Sequence, residues 1–208
     1  MLVESSIFLK RVAPEAARLV QALVDAWKDA ALQRGGLPLR QDMSPARLRG
    51  LTQHISLFDY DGETLKFRLA SREVTARIHQ DPIGFNVLDV LDPKILPAVQ
   101  RRLRLAATHP CGYAASYRLQ QPNGNHNVAA IILLPLTDHV GNDAAHFIRM
   151  EHMGAMVDWR PEGRDEVYID EDQAFGSAFD LGFGLPDEFS NEILGADAAM
   201  NISGGRSL

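Results

Sequence analysis

Cysteine is almost missing from this chain. Cys111 is the sole one, so no internal disulfide can form, which fits a reducing compartment. A basic excess is missing too: the formal net charge is −6, which argues against a nucleic-acid partner. The one basic run, Arg101-Arg102-Leu103-Arg104, lies in a predicted helix and reads first as a solvated face, second as a patch for phosphate or an acidic partner. No apolar run approaches the roughly 18 residues of a membrane-spanning helix, the longest being 128–134. The N-terminal residues carry Glu4 and no basic-then-apolar pattern, so secretion is not expected. A cytoplasmic protein without a membrane span is the expectation.

Catalytic signatures are missing as well. There is no Gly-x-Ser-x-Gly elbow, no Gly-x-x-x-x-Gly-Lys phosphate loop and no His-Glu-x-x-His pair. Gly182-x-Gly184 has no strand-to-helix context. The apolar fraction of 46% and the charged fraction of 23% are ordinary for a globular domain, and 208 residues suffice for one good core.

The informative part is the order of elements over residues 55–157. Strand patterns at Ile55–Tyr60 and 64–70 are joined at Asp61-Gly62, a hairpin signal. Along the second, Leu65, Phe67 and Leu69 alternate with Lys66, Arg68 and Ala70, giving one dry face. An irregular helical passage follows over 71–92, broken by Asp81-Pro82 and Gly84. Asp92-Pro93 then opens a helix whose inner face is Ile95, Leu96, Val99, Leu103 and Ala106, ending at His109-Pro110. Three strand patterns complete the set at 113–121, 128–136 and 145–157. The continuous apolar run 128–134 belongs in a central strand or one covered on both faces.

Ahead of this block, residues 14–34 form a leading helix. Ala16, Leu19, Val20, Leu23, Trp27 and Ala30 make one stripe, Pro14 suits the first turn, and Gly35-Gly36 ends it. Ser44-Pro45 opens a second, short helix to about Leu51. Residues 1–13 are an N-terminal tail, 14–159 the domain, and 160–208 an acidic, glycine-rich C-terminal tail with one short helix at 186–194.

Set in order, Trp27, then Gly36-Leu37-Pro38-Leu39-Arg40, Phe67-Arg68-Leu69, Gly84, Leu133-Leu134-Pro135-Leu136, and Asp138 with Gly141 resemble a PAS domain. The closer resemblance is to the single-domain PAS_5 type of alphaproteobacteria, over roughly residues 20–157. The resemblance implies an α+β fold: a five-stranded antiparallel sheet with helices across one face and an extra N-terminal helix. It also implies a non-enzymatic sensory or regulatory role in signal transduction, exercised by binding another protein, because such members mostly stand without an attached kinase or cyclase. One departure is the turn after Arg68-Leu69, where Ser71-Arg72 replaces the Gly-Thr common in similar chains.

Periodicity and resemblance together place Phe67, Leu69, Ile78, Phe85, Leu88, Leu103, Tyr117 and Ile132 around a ligand pocket between sheet and helices, or in plain core. Arg68 is either an anion contact or paired with a carboxylate of the tail or the leading helix. Leu19, Leu23 and Trp27 are interface candidates for a homodimer or a signalling partner such as a histidine kinase or response regulator; the same stripe would also serve as packing onto its own sheet. No cofactor is assigned. The alternative is a haem or flavin sensor, with His109 or His79 as the axial ligand. A LOV-type flavin site fails because Cys111 follows the long helix rather than lying in the helical passage. Cys111 is either a redox sensor or incidental. No metal set is evident: His146 and His152 stand about 20 Å apart on one strand at ~3.3 Å per residue, and His126 and His139 lie in different turns. An enzyme on a cone-like fold would need inward carboxylates or histidines, and the inward strand positions read as apolar.

Overall fold

The computed structural model describes residues 14–78, 81–91, 93, 96–120, 126–138, 144–157 and 175–187. Three helices carry labels below: α1 (Pro14–Arg34), α2 (Arg72–Ile78) and α3 (Leu96–Thr108). The strands are β1 (Ile55–Tyr60), β2 (Leu65–Leu69), β3 (Gly112–Gln120), β4 (His126–Leu136), β5 (His146–Val157) and β6 (Phe175–Phe179). Among the described residues they form one antiparallel sheet in the order β2-β1-β5-β4-β3-β6. The fold is α+β and PAS-like, and it carries one strand more than the five expected.

The extra strand comes from the glycine-rich tail. β6 pairs along β3 with Gly112 opposite Phe179, and the Phe179 ring occupies the space that a β-carbon on Gly112 would need. Glycine on one strand and an aromatic ring on the next thus fit as a pair. The chain then returns to the core: Leu181 joins the residues under α1, and Phe183 meets Trp27 edge-on at 6.3 Å between ring centroids.

Helices α2 and α3 cover one face of the sheet, and the extra N-terminal helix α1 covers the other. Strand alternation sends Ile132, Leu134, Leu136, Ile148 and Met150 to a cluster with Val20, Leu23, Val24, Trp27 and Ala30 of α1. The intervening Leu133 and Phe147 go to a second cluster with Phe58, Phe67, Val74 of α2, Leu88, and Leu103, Ala106 and Ala107 of α3. β4, third from the β6 edge, serves both clusters, as its unbroken apolar run requires.

Local chemistry explains the boundaries. Gly35 (φ +77°) closes α1 with its N–H on the Ala31 carbonyl at 2.8 Å. The connector after it pairs with the end of β4, where Arg40 N–H donates to the Thr137 carbonyl and Thr137 N–H to that of Pro38, at 3.1 and 3.0 Å. The Gly36–Arg40 and Leu133–Leu136 motifs are therefore neighbours in space. Pro135 gives no ladder donor, and the β3 pairing ends at Leu133; its carbonyl accepts the Trp27 indole N–H at 2.8 Å. The helix expected from Ser44 to Leu51 is instead a run of turns leading to a 3-10 turn at Thr52–His54. The short helix at 186–194 lies almost wholly outside the described residues. No helix among the described residues is long and apolar enough to cross a membrane.

Candidate functional site

The candidate site is the buried cluster between the sheet and the α2–α3 side. Its floor is laid by β1, β2 and β5. Phe58 and Phe67 approach at 4.5 Å between ring centroids, and Tyr60 stands edge-on to Phe147 at 5.5 Å. Its wall is the irregular passage, which runs beside β2 as a substitute strand. Phe67 N–H donates to the Phe85 carbonyl and Gly84 N–H to that of Phe67, at 3.1 and 2.8 Å. Gly84 has φ +81°, a conformation that ordinary side chains rarely adopt, so the residue type and the close pass along β2 belong together. Asn86 finishes the seam: its Oδ1 accepts the Leu65 N–H at 2.9 Å and caps the 3-10 turn at Val87–Val90.

The Ser71-Arg72 turn has a structural explanation. Ser71 is buried, its N–H bonds Ser56 Oγ at 2.9 Å, and its own Oγ accepts the Val74 N–H at 3.2 Å. It is the N-cap of α2 and ties that helix to β1.

Into this apolar setting β5 puts two charges. Arg149 and Glu151, two apart on one strand and so on one face, are both buried and form an ion pair. The Arg149 guanidinium lies 5.2 Å from the Phe58 ring centroid and 6.0 Å from that of Phe67, a cation–π arrangement. Arg149 Nε is buried with no hydrogen-bond partner among the described residues. Neither charge was singled out in the sequence, because an Arg and a Glu at alternate strand positions read as a wet face. Their burial comes from the tertiary packing around that face.

The expected pocket residues divide. Phe67, Leu88 and Leu103 are buried together, with Phe85 packed at their margin. Ile132 must be corrected: it faces α1 on the other side of the sheet, and its neighbour Leu133 points towards this space. Leu69 must also be corrected, being 48% exposed near the end of the edge strand. The side chains of Ile78 and Tyr117 lie outside the described residues, as does His79.

Among the described residues Arg68 pairs with Asp59 of the adjacent strand at 3.1 Å, and both side chains are nearly half exposed. The same Asp59 lies 2.8 Å from His146 Nδ1, while Asp138 lies 2.5 Å from Nε2 of that ring. An anion approaching Arg68 would meet this carboxylate first. The interface expectation for the leading helix is corrected as well. Leu23 and Trp27 are 0% exposed and Leu19 packs against the same cluster, so the stripe faces the chain's own sheet. A second copy would have to use another surface. His109 is half-buried and borders Gly184 in the segment after β6.

A PAS-domain family model, PAS_5, matches residues 16–148. The chain belongs to this PAS family. Comparison with curated proteins finds no significant match. The matched span takes in nearly all of α1, most of both clusters and the first residues of β5, but not Arg149, Glu151 or β6. PAS domains are generally sensory rather than catalytic and mediate signalling contacts, so the family points to a sensory or regulatory role in signalling. The Arg149–Glu151 pair lies just past that span.

Proposed function

We propose that this PAS domain is a non-enzymatic regulatory protein of the cytoplasm. It works through contact with a signalling protein such as a histidine kinase or response regulator, and a small ligand tunes it. The observation that carries the ligand part is the Arg149–Glu151 pair under the α2–α3 side. A buried ion pair is weak support for stability, since well-packed apolar residues of the same volume do as well or better. Its presence beside two aromatic rings therefore favours use over packing. The chemistry suits a mostly apolar molecule bearing a carboxylate or carbonyl: its body would lie on Phe58 and Phe67, and its oxygen would take the guanidinium.

In this reading the ligand acts on the short elements that close the site. Among the described side chains, α2 and the 3-10 turn at Val87–Val90 contribute Val74 and Leu88 to the buried cluster, with Val87 packed against it, and short elements of this kind open more readily than the sheet. The test is cross-linking of the full chain in its native cell, comparing the wild type with an Arg149→Met, Glu151→Leu double variant. A histidine kinase or response regulator captured by the wild type, in an amount altered by the double variant, is the expected result. Equal capture by both proteins would remove the ligand from the mechanism. Reproducible capture of no signalling protein would overturn the regulatory reading.

A further inference from the structure

His54, Glu73 and His152 come from three separate places in the chain. His54 ends the 3-10 turn at Thr52–His54, Glu73 stands in the first turn of α2, and His152 lies on β5. The sheet register brings them together. Ile55 pairs with Met150, so the residue before β1 sits beside the residues that follow Met150. β2 ends at the same end of the sheet, with Leu69 opposite Leu57, and α2 starts there. One potential ligand atom from each side chain lies within 4.8 Å of those of the other two.

We propose that these three side chains form a binding site for a divalent first-row transition metal of the zinc type. Two imidazoles and one carboxylate are a donor set for such an ion, with the fourth position open to water. Bonds of about 2.0–2.2 Å set tetrahedral donors roughly 3.4 Å apart. His54 Nδ1 and Glu73 Oε1 are already 2.8 Å apart, and the His54 and His152 ring centroids lie 6.1 Å apart. Side-chain rotations close the remaining gap, and all three residues are half-buried, which leaves solvent an entry path. Glu73 Oε2 is buried with no hydrogen-bond partner among the described residues, so the carboxylate has a lone pair to give.

An outer contact is also in place. The Gln53 amide lies 2.9 Å from His54 Nε2. With its amide turned, Gln53 would accept the Nε2 proton and leave Nδ1 directed at the metal, the usual way a second residue sets a ligand tautomer. The bound ion would pin the start of α2 to β1 and β5. The site stands independently of the Arg149–Glu151 reading, since it shares no residue with it.

The test uses the full chain, stripped with a chelator and titrated with Zn²⁺ against a chromogenic competitor, then with Co²⁺ to read the ligand field. Saturable binding of one equivalent is expected, with visible Co²⁺ bands of four-coordinate strength. His54→Ala and His152→Ala should each weaken binding at least about tenfold. Glu73→Gln keeps the shape of the side chain and removes its charge, and it too should weaken binding at least about tenfold. If the histidine variants lose their circular dichroism, Glu73→Gln decides alone. Unchanged affinity in Glu73→Gln, or in a folded His54→Ala, His152→Ala pair, would overturn the proposal, as would the lack of any saturable site in the wild type.

Discussion

Cys111 shows how far burial can silence a reactive group. Its thiol is packed with Leu103, Ala106 and Ala107, and burial, helped by the negative charge of Asp180, pushes its pKa up to about 12. At pH 8 the thiolate fraction is then about one in ten thousand. A disulfide-exchange reagent is expected to label Cys111 only as fast as the protein opens, with full labelling in denaturant. Rapid labelling of the folded chain would restore the redox-sensor reading. Asp61 has the opposite setting, in the β1–β2 turn. The Thr64 hydroxyl at 2.6 Å, then the Thr64 and Glu63 N–H groups, hold its carboxylate and lower its pKa to about 2. A depressed folded-state pKa means that this carboxylate stabilises the fold above the unfolded value of about 4 and ceases to do so as pH falls through about 2. Carbon-detected titration of Asp61 should show a midpoint near 2, and a midpoint near 4 would mean that the turn is not formed as described.

At the scale of elements, β6 depends on an exchange between glycine and phenylalanine. A methyl on Gly112 would collide with the Phe179 ring. Gly112→Ala is therefore expected to push Phe179 off the sheet, at a cost of about 1–3 kcal/mol, and to speed amide exchange over 175–179 while β1 and β5 keep theirs. Uniform loss of protection would show instead that β6 is an integral part of the cooperative unit. The same element marks the limit of what the sequence reveals. β1 was legible to the residue, because the Asp61-Gly62 turn marks where it ends. β6 was not, since Phe-Gly-Ser-Ala-Phe in a glycine-rich, acidic stretch has no period of its own and gains its meaning from the free edge of β3. Ile132 was placed one residue out of phase, the error to which a fully apolar strand is most prone, because both of its faces look dry. Phe67, Leu88 and Leu103 were legible as buried residues from period and resemblance together. The buried Arg149–Glu151 pair and the His54–Glu73–His152 group were not. The first needs the tertiary packing around the sheet, and the second needs contacts spanning a hundred residues.

At the scale of the whole molecule, the sheet separates two kinds of interior. On the α1 side, Leu23, Trp27, Leu134 and Met150 make a dry core in which the tryptophan's one polar atom is satisfied by Pro135. On the other side a charged pair lies among aromatic rings, beneath short helices. One face is a dry core, and the other carries the charged pair on which the proposed ligand site rests. The most direct test is native mass spectrometry of the freshly purified full chain, taken with its visible spectrum and repeated on the Arg149→Met, Glu151→Leu variant. That pairwise replacement is chosen because it leaves no buried charge unpaired, whereas removing one partner alone would cost about 3–5 kcal/mol. The account predicts a colourless wild type with a fraction of molecules carrying one small adduct, and a folded variant without it. An unladen wild type, an adduct kept by the variant, or a Soret or flavin band would contradict it.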